Sequence, residues 1–278
     1  MDEIRSILLH LDAAPGATHR LRAAHALAAM HGAELEVLYA VTPALLQYPL
    51  AASADSQLAG MLAALDVETR ARVRAAFERE RMHVGLPNLP WNETDDGPLP
   101  AFKRRAFEAD LLVLAQVDPD DLQQSQVPAD FAPSVLIETG KPVLMLPYIA
   151  TGPEFGKTAL IAWKDTAASA RAVTAALPML RLAKSVQVAA WEEAGGLGAS
   201  EPLPVERFLR RHGITAKVHR CGRPTAEIGE LLLSLAADVQ ADLLVMGCYG
   251  HSRAREWLLG GVTRTILQAM TLPVLMSH

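Results

Sequence analysis

The residues best placed to do chemistry are glycines. Gly247 and Gly250 follow the apolar run Asp242 to Met246, and Gly260 and Gly261 then open a stretch continuing Val262-Thr263. Glycine tolerates positive φ and lets a backbone approach a ligand closely. The first N–H groups of a following helix have no partner inside it, and the helix dipole favours negative charge there. A strand, a glycine-punctuated loop and a helix start therefore predict a cradle for a nucleotide phosphate, in the second half of the chain only. Its candidates are Gly247, Tyr249, Gly250, Gly260, Gly261, Val262 and Thr263. His251 and Arg253 lie between the glycines, where they would make charge-assisted contacts to phosphate oxygens. Arg255 reads as surface, and Trp257, Leu258 and Leu259 as core or interface.

Other chemistry is poorly supported. Gly156-Lys157-Thr158 resembles the end of a phosphate-binding P-loop, but Thr151 stands where the first glycine is required. The tripeptide also precedes a strand, whereas a P-loop follows one and opens a helix. It reads as linker. No G-x-G-x-x-G pattern follows either early strand, at Asp12-Ala13-Ala14 or at Lys164-Asp165-Thr166. Nine histidines are scattered without metal-ligand spacing, and His25 and His31 are expected to face solvent on an alanine-rich helix. Cys248 reads either as a small filler or as a thiol whose pKa the helix N-terminus lowers. No nucleophile–base grouping can be assembled, so neither a catalytic residue nor a metal site is predicted.

The elements that must position the glycines are written twice. Ala109-Asp110-Leu111-Leu112-Val113-Leu114 recurs 132 residues later as Ala241-Asp242-Leu243-Leu244-Val245-Met246, and Pro142-Val143-Leu144-Met145 recurs as Pro273-Val274-Leu275-Met276. Repetition at this spacing indicates a duplicated unit, with domains at 1–150 and 154–278 and a junction between Tyr148 and Lys157. The second half alternates apolar strands (159–163, 185–190, 216–219, 242–246, 274–276) with helices (168–181, 204–212, 226–238 and one from 262). The helix at 226–238 carries Ile228, Leu231, Leu232 and Leu235 as one stripe. Such alternation predicts two doubly wound α/β domains with parallel sheets covered on both faces. Ligands in sheets of this kind bind at the carboxyl ends of the strands. In the first half a charged helix is expected over 67–82 and a loop over 87–100.

Composition bounds the function. The 278 residues are 50% hydrophobic and 21% charged, with a net charge of −5. That argues for a globular protein and against a dedicated nucleic-acid binder. Two cysteines without a C-x-x-C pattern, no long apolar run and no leader-like N-terminus predict a cytoplasmic protein with no membrane partner.

The whole pattern resembles the universal stress protein family in its tandem two-domain, Rossmann-like form. Nucleotide-binding members carry glycine, two residues, glycine, nine residues, then glycine and Ser or Thr. Here Gly247, Gly250 and Gly260 keep that spacing, while Gly261 replaces the hydroxyl residue and Thr263 is the nearest substitute. The resemblance implies ATP (or ADP or AMP), with or without Mg, as ligand. It also implies an aspartate at the end of the first strand that accepts from adenine. Asp12 fits in the first half; in the second the position is Lys164 or Asp165, beside Trp163, with Ala190 and Trp191 flanking the base. The first half has Ala115-Gln116-Val117-Asp118-Pro119-Asp120-Asp121 in place of glycines, three carboxylates that would repel a phosphate, and reads as degenerate. The resemblance further implies an intramolecular domain pair joined by the last strand of each half, and leaves a homodimer open. The expected role is a nucleotide-dependent switch in a stress response. The alternatives are a slow ATP hydrolase and a structural module with an empty site.

Overall fold

The computed structural model describes residues 3–94, 96–118, 120, 126–149, 152, 154–191, 202–248 and 261–278. The chain divides into two compact units. The N-terminal unit comprises Arg5–Thr139 and Tyr148–Pro153; the C-terminal unit comprises Gly140–Pro147 and Glu154–His278 with the start of the chain. Residues 140–147, first-half residues by sequence, thus group with the C-terminal unit.

The N-terminal unit runs β1 (Ser6–Leu11), α1 (Ala17–His31), β2 (Glu34–Tyr39), α2 (Ala44–Gln47), α3 (Pro49–Ala54), α4 (Ser56–His83), β3 (Asn92–Glu93), α5 (Pro98–Ala106), β4 (Leu111–Ala115) and α6 (Phe131–Glu138). Its strands lie in the order β3-β2-β1-β4, and the β1–β2, β1–β4 and β2–β3 pairs are parallel. Ile7 to Leu11 are all buried, as expected of a strand covered on both faces. Two expectations fail here. The charged helix is longer than 67–82, because Asp55 caps it eleven residues earlier by accepting from the Gln57 N–H at 2.7 Å. The loop expected at 87–100 contains β3, whose Asn92 and Glu93 pair with Leu38 and Tyr39. It also contains the start of α5, where Pro98 sits in the first turn and needs no intrahelical N–H partner.

The C-terminal unit adds β5 (Val143–Leu146), β6 (Thr158–Trp163), α7 (Ala167–Leu182), β7 (Ser185–Trp191), α8 (Pro204–Arg211), β8 (Ala216–Cys221), α9 (Ile228–Asp238), β9 (Leu243–Gly247), α10 (Gly261–Ala269) and β10 (Val274–Ser277). Strand order is β5-β10-β9-β6-β7-β8. β10, β9, β6, β7 and β8 are parallel to one another, and β5 joins β10 antiparallel, with Val274 opposite Met145 and Met276 opposite Val143. The expected pairing of the two last strands is therefore present. Helix α9 buries Gly229, Leu232 and Ala236, a stripe one step round from the expected one. The reason is close packing on α10: a Cβ on Gly229 would lie 2.6 Å from the Thr265 Cβ.

The repeated Ala-Asp dipeptide has a structural task in both copies. Asp110 accepts from the backbone N–H groups of Arg5 and Ser6 at 2.9 and 3.1 Å. Asp242 accepts from those of Lys157 and Thr158 at 3.0 and 2.8 Å. Each carboxylate thus ties the start of the neighbouring strand and sets its register. Ile7 sits opposite Leu111 and Ala159 opposite Leu243, so β1 and β6 correspond residue for residue. That correspondence makes Leu11 the counterpart of Trp163, and Asp12 the counterpart of Lys164.

His31 departs from its expected exposure. It is half-buried, and its Nε2 has no hydrogen-bond partner. Among the described residues no helix is long and apolar enough to cross a membrane.

Candidate functional site

In the C-terminal unit the parallel register brings three strand ends to one level. Trp163 lies opposite Ala190, and Ala162 opposite Met246, so Trp163 and Gly247 end β6 and β9 beside Ala190, the last residue but one of β7. Trp191 follows on β7 and pairs with Cys221. Helix α10 joins the parallel strands β9 and β10. It must run back against them, so Gly261, Val262 and Thr263 begin it at the same carboxyl edge. Tyr249, Gly250, His251, Arg253 and Gly260 lie outside the described residues, as do Arg255 and Trp257 to Leu259.

Gly247 is glycine for a reason different from the one expected. It is not among the positive-φ residues. A Cβ there would lie 2.4 Å from the Ser169 amide nitrogen and 2.6 Å from the Ala168 carbonyl carbon. The end of β9 therefore rests directly on the first turn of α7. That turn is fixed by Thr166, whose side-chain oxygen accepts from the Ser169 N–H at 3.2 Å.

The base end of the site differs from the pattern that resemblance implies. The register assigns Lys164, not Asp165, to the position of Asp12. Asp165 is exposed and accepts from the Trp163 indole N–H at 2.8 Å, which occupies one carboxylate oxygen. At the phosphate end Gly261 is exposed, and its Cβ position lies 3.5 Å from Glu227 Oε2. Glu227, the residue before α9, thus sets a carboxylate beside the start of α10. No local sequence signal marks it, because 34 residues separate it from Gly261. Thr263 is buried on the same face of α10 as Ile266, so its hydroxyl does not stand where Gly261 lacks one. Cys248 is buried, and burial pushes its thiol up to about 12. The helix N-terminus does not activate it, and the filler reading holds.

The corresponding place in the N-terminal unit holds a buried ion pair. Asp12 is buried and accepts from both terminal nitrogens of Arg20, one at 3.1 Å, and from the Ala14 N–H at 2.9 Å. Burial pushes its carboxyl up, but the charge and hydrogen bonds of Arg20 outweigh this and hold it at about 2. In the second half Lys164 stands at the position of Asp12, so the carboxylate of this pair is absent there. Gln116, in the place of Cys248, is buried and accepts from the Tyr148 N–H at 3.2 Å. The Asp118 carboxylate takes the Asp120 N–H at 2.9 Å, and Asp130 rather than glycine precedes α6.

Residues 157–278 match the model of the Universal stress protein family. No curated protein matches the chain by sequence. A universal stress protein from Archaeoglobus fulgidus is 15% identical, with 99% of this chain and 96% of that one covered and a TM-score of 0.72. A functionally unknown protein from Pseudomonas aeruginosa is 16% identical, with 99% and 92% covered and a TM-score of 0.64. At such identities the likeness shows the fold alone.

Proposed function

Because residues 157–278 match the model of the Universal stress protein family, we propose that the C-terminal domain, residues 154–278, binds an adenine nucleotide. The phosphates would meet the backbone N–H groups of Gly250 and Gly260 to Thr263, and the side chains of His251 and Arg253. The base would lie by Trp163 to Asp165, Ala190 and Trp191. The observation that carries this reading is the level set by three strand ends and the start of α10, which puts Gly261 at the carboxyl edge. Residues 1–150 are the degenerate partner domain, since Arg20 and Gln116 fill the equivalent place.

The residues present fit the phosphate end better than the base end. Lys164 in place of the aspartate removes an acceptor for adenine, so base selectivity rests on one free oxygen of Asp165 and on stacking. Glu227 beside Gly261 repels a phosphate; a magnesium ion bound by Glu227 and the phosphates would neutralise that charge. Binding then works as a switch that biases oligomer or partner contacts in the cytoplasm, rather than as turnover.

A second reading is favoured by Glu227, Lys164 and Gly261 together: a structural module that takes no nucleotide. Isothermal titration with ATP, ADP and AMP, with and without magnesium, separates the two. Heat with at least one of them, unchanged in Asp118→Ala, supports the switch. Silence from all three, with no thermal shift, supports the module. Multiple turnover that Gly250→Val abolishes would replace both with a hydrolase.

A further inference from the structure

Between α7 and α8 the C-terminal unit holds a cleft of about 420 Å³ that shares only Trp163 with the nucleotide reading. Trp163, Val173 and Phe208 supply apolar and aromatic walls, and Thr174, Arg207 and Arg211 supply the polar part. The two arginines are exposed and stand one helical turn apart on α8. Like charges at this spacing repel. Among the described residues neither has a carboxylate partner. The adjacent acid, Glu206, is turned instead to the Leu203 N–H at 2.7 Å and to Arg220 at 3.9 Å.

The N-terminal unit has an opening at the same place, between α1 and α4, of about 290 Å³. Leu11 lines it where the β1–β6 correspondence puts Trp163. The duplicated fold therefore leaves this gap in both copies. Only the C-terminal copy gives it a tryptophan wall and two guanidinium groups. Aromatic walls favour a flat apolar body, and paired guanidinium forks favour a carboxylate, sulfonate or phosphate.

We propose that the α7–α8 cleft is a binding site for a small aromatic anion, its ring against Trp163 and Phe208 and its charged group on Arg207 and Arg211. The site is distinct from the phosphate cradle, and it stands whether or not a nucleotide binds there.

Naphthalene-2-carboxylate and its uncharged amide are suitable probes for the full chain, followed by ¹H–¹⁵N correlation spectra and calorimetry. The carboxylate should shift resonances confined to Trp163, residues 170–174 and 204–211, and the amide should bind at least about tenfold more weakly. Arg207→Gln with Arg211→Gln should weaken the carboxylate by about tenfold or more while leaving the melting temperature unchanged, as both side chains are exposed. The proposal is overturned if millimolar carboxylate shifts nothing in the cleft or shifts residues elsewhere. It is equally overturned if the amide binds as well as the acid or if the double substitution changes nothing.

Discussion

Replacing Gly261 by serine tests where a phosphate sits. The position is exposed, and the described atom nearest to a new Cβ is Glu227 Oε2 at 3.5 Å, an ordinary van der Waals contact. Gly261→Ser should therefore fold as the parent does. Its hydroxyl supplies the donor that the family pattern carries and this chain lacks. One hydrogen bond to a charged oxygen is worth about 1.5–3 kcal/mol, which is about a 10- to 150-fold gain in nucleotide affinity. Glu227 competes for the same donor, because the hydroxyl can reach its carboxylate. A gain in thermal stability without a gain in affinity would mean that Glu227 has captured it. The double variant Gly261→Ser with Glu227→Gln removes the competing charge and should show the full gain by calorimetry. If both variants bind every adenine nucleotide with the parent's affinity, no phosphate lies at the start of α10, and the proposed cradle is wrong.

Two further predictions concern stability. Gly247→Ala places a methyl group 2.4 Å from the Ser169 amide nitrogen, and backbone, unlike a side-chain tip, cannot swing away. The first turn of α7 must shift, at a cost of about 1–3 kcal/mol; an unchanged urea midpoint would refute the packing account. His10 is buried with Nε2 2.8 Å from the Ala40 carbonyl oxygen and its ring 4.5 Å from that of Phe131. Burial lowers its pKa from 6.5 to about 4. The folded chain therefore keeps it neutral where the unfolded chain takes up a proton. Its contribution is complete above pH 6.5 and falls as pH drops to 4, by about 3 kcal/mol. Asp12, held at about 2 by Arg20, loses its own contribution only lower, as pH drops through the carboxylate range toward 2. Urea unfolding at pH 7 and pH 4.5 should show the His10 loss, and His10→Gln should abolish most of it; an equal loss in the variant would refute the assignment.

How much was legible in the chain follows from the range of the forces. Apolar runs such as Leu243 to Met246 and the alternation with helices report local burial, so the strand–helix order and the repeat could be read directly, while the pairing of β5 with β10 came from the family resemblance. The edge strand β3 could not, because Asn92-Glu93 is polar and is a strand only by virtue of the neighbouring β2. The glycines predicted a phosphate cradle, yet the reason for Gly247 is a helix 78 residues earlier in the chain.

Residue types alone directed the proposed anion cradle to the second half, since three carboxylates in the first-half loop would repel a phosphate. Only the tertiary structure decided what faces it. Strand register chose Lys164 over Asp165 as the counterpart of Asp12, and the packing of α9 on α10 brought the Glu227 carboxylate to Gly261. Register and helix packing join residues far apart in the chain, and electrostatics acts between whatever groups that packing brings close.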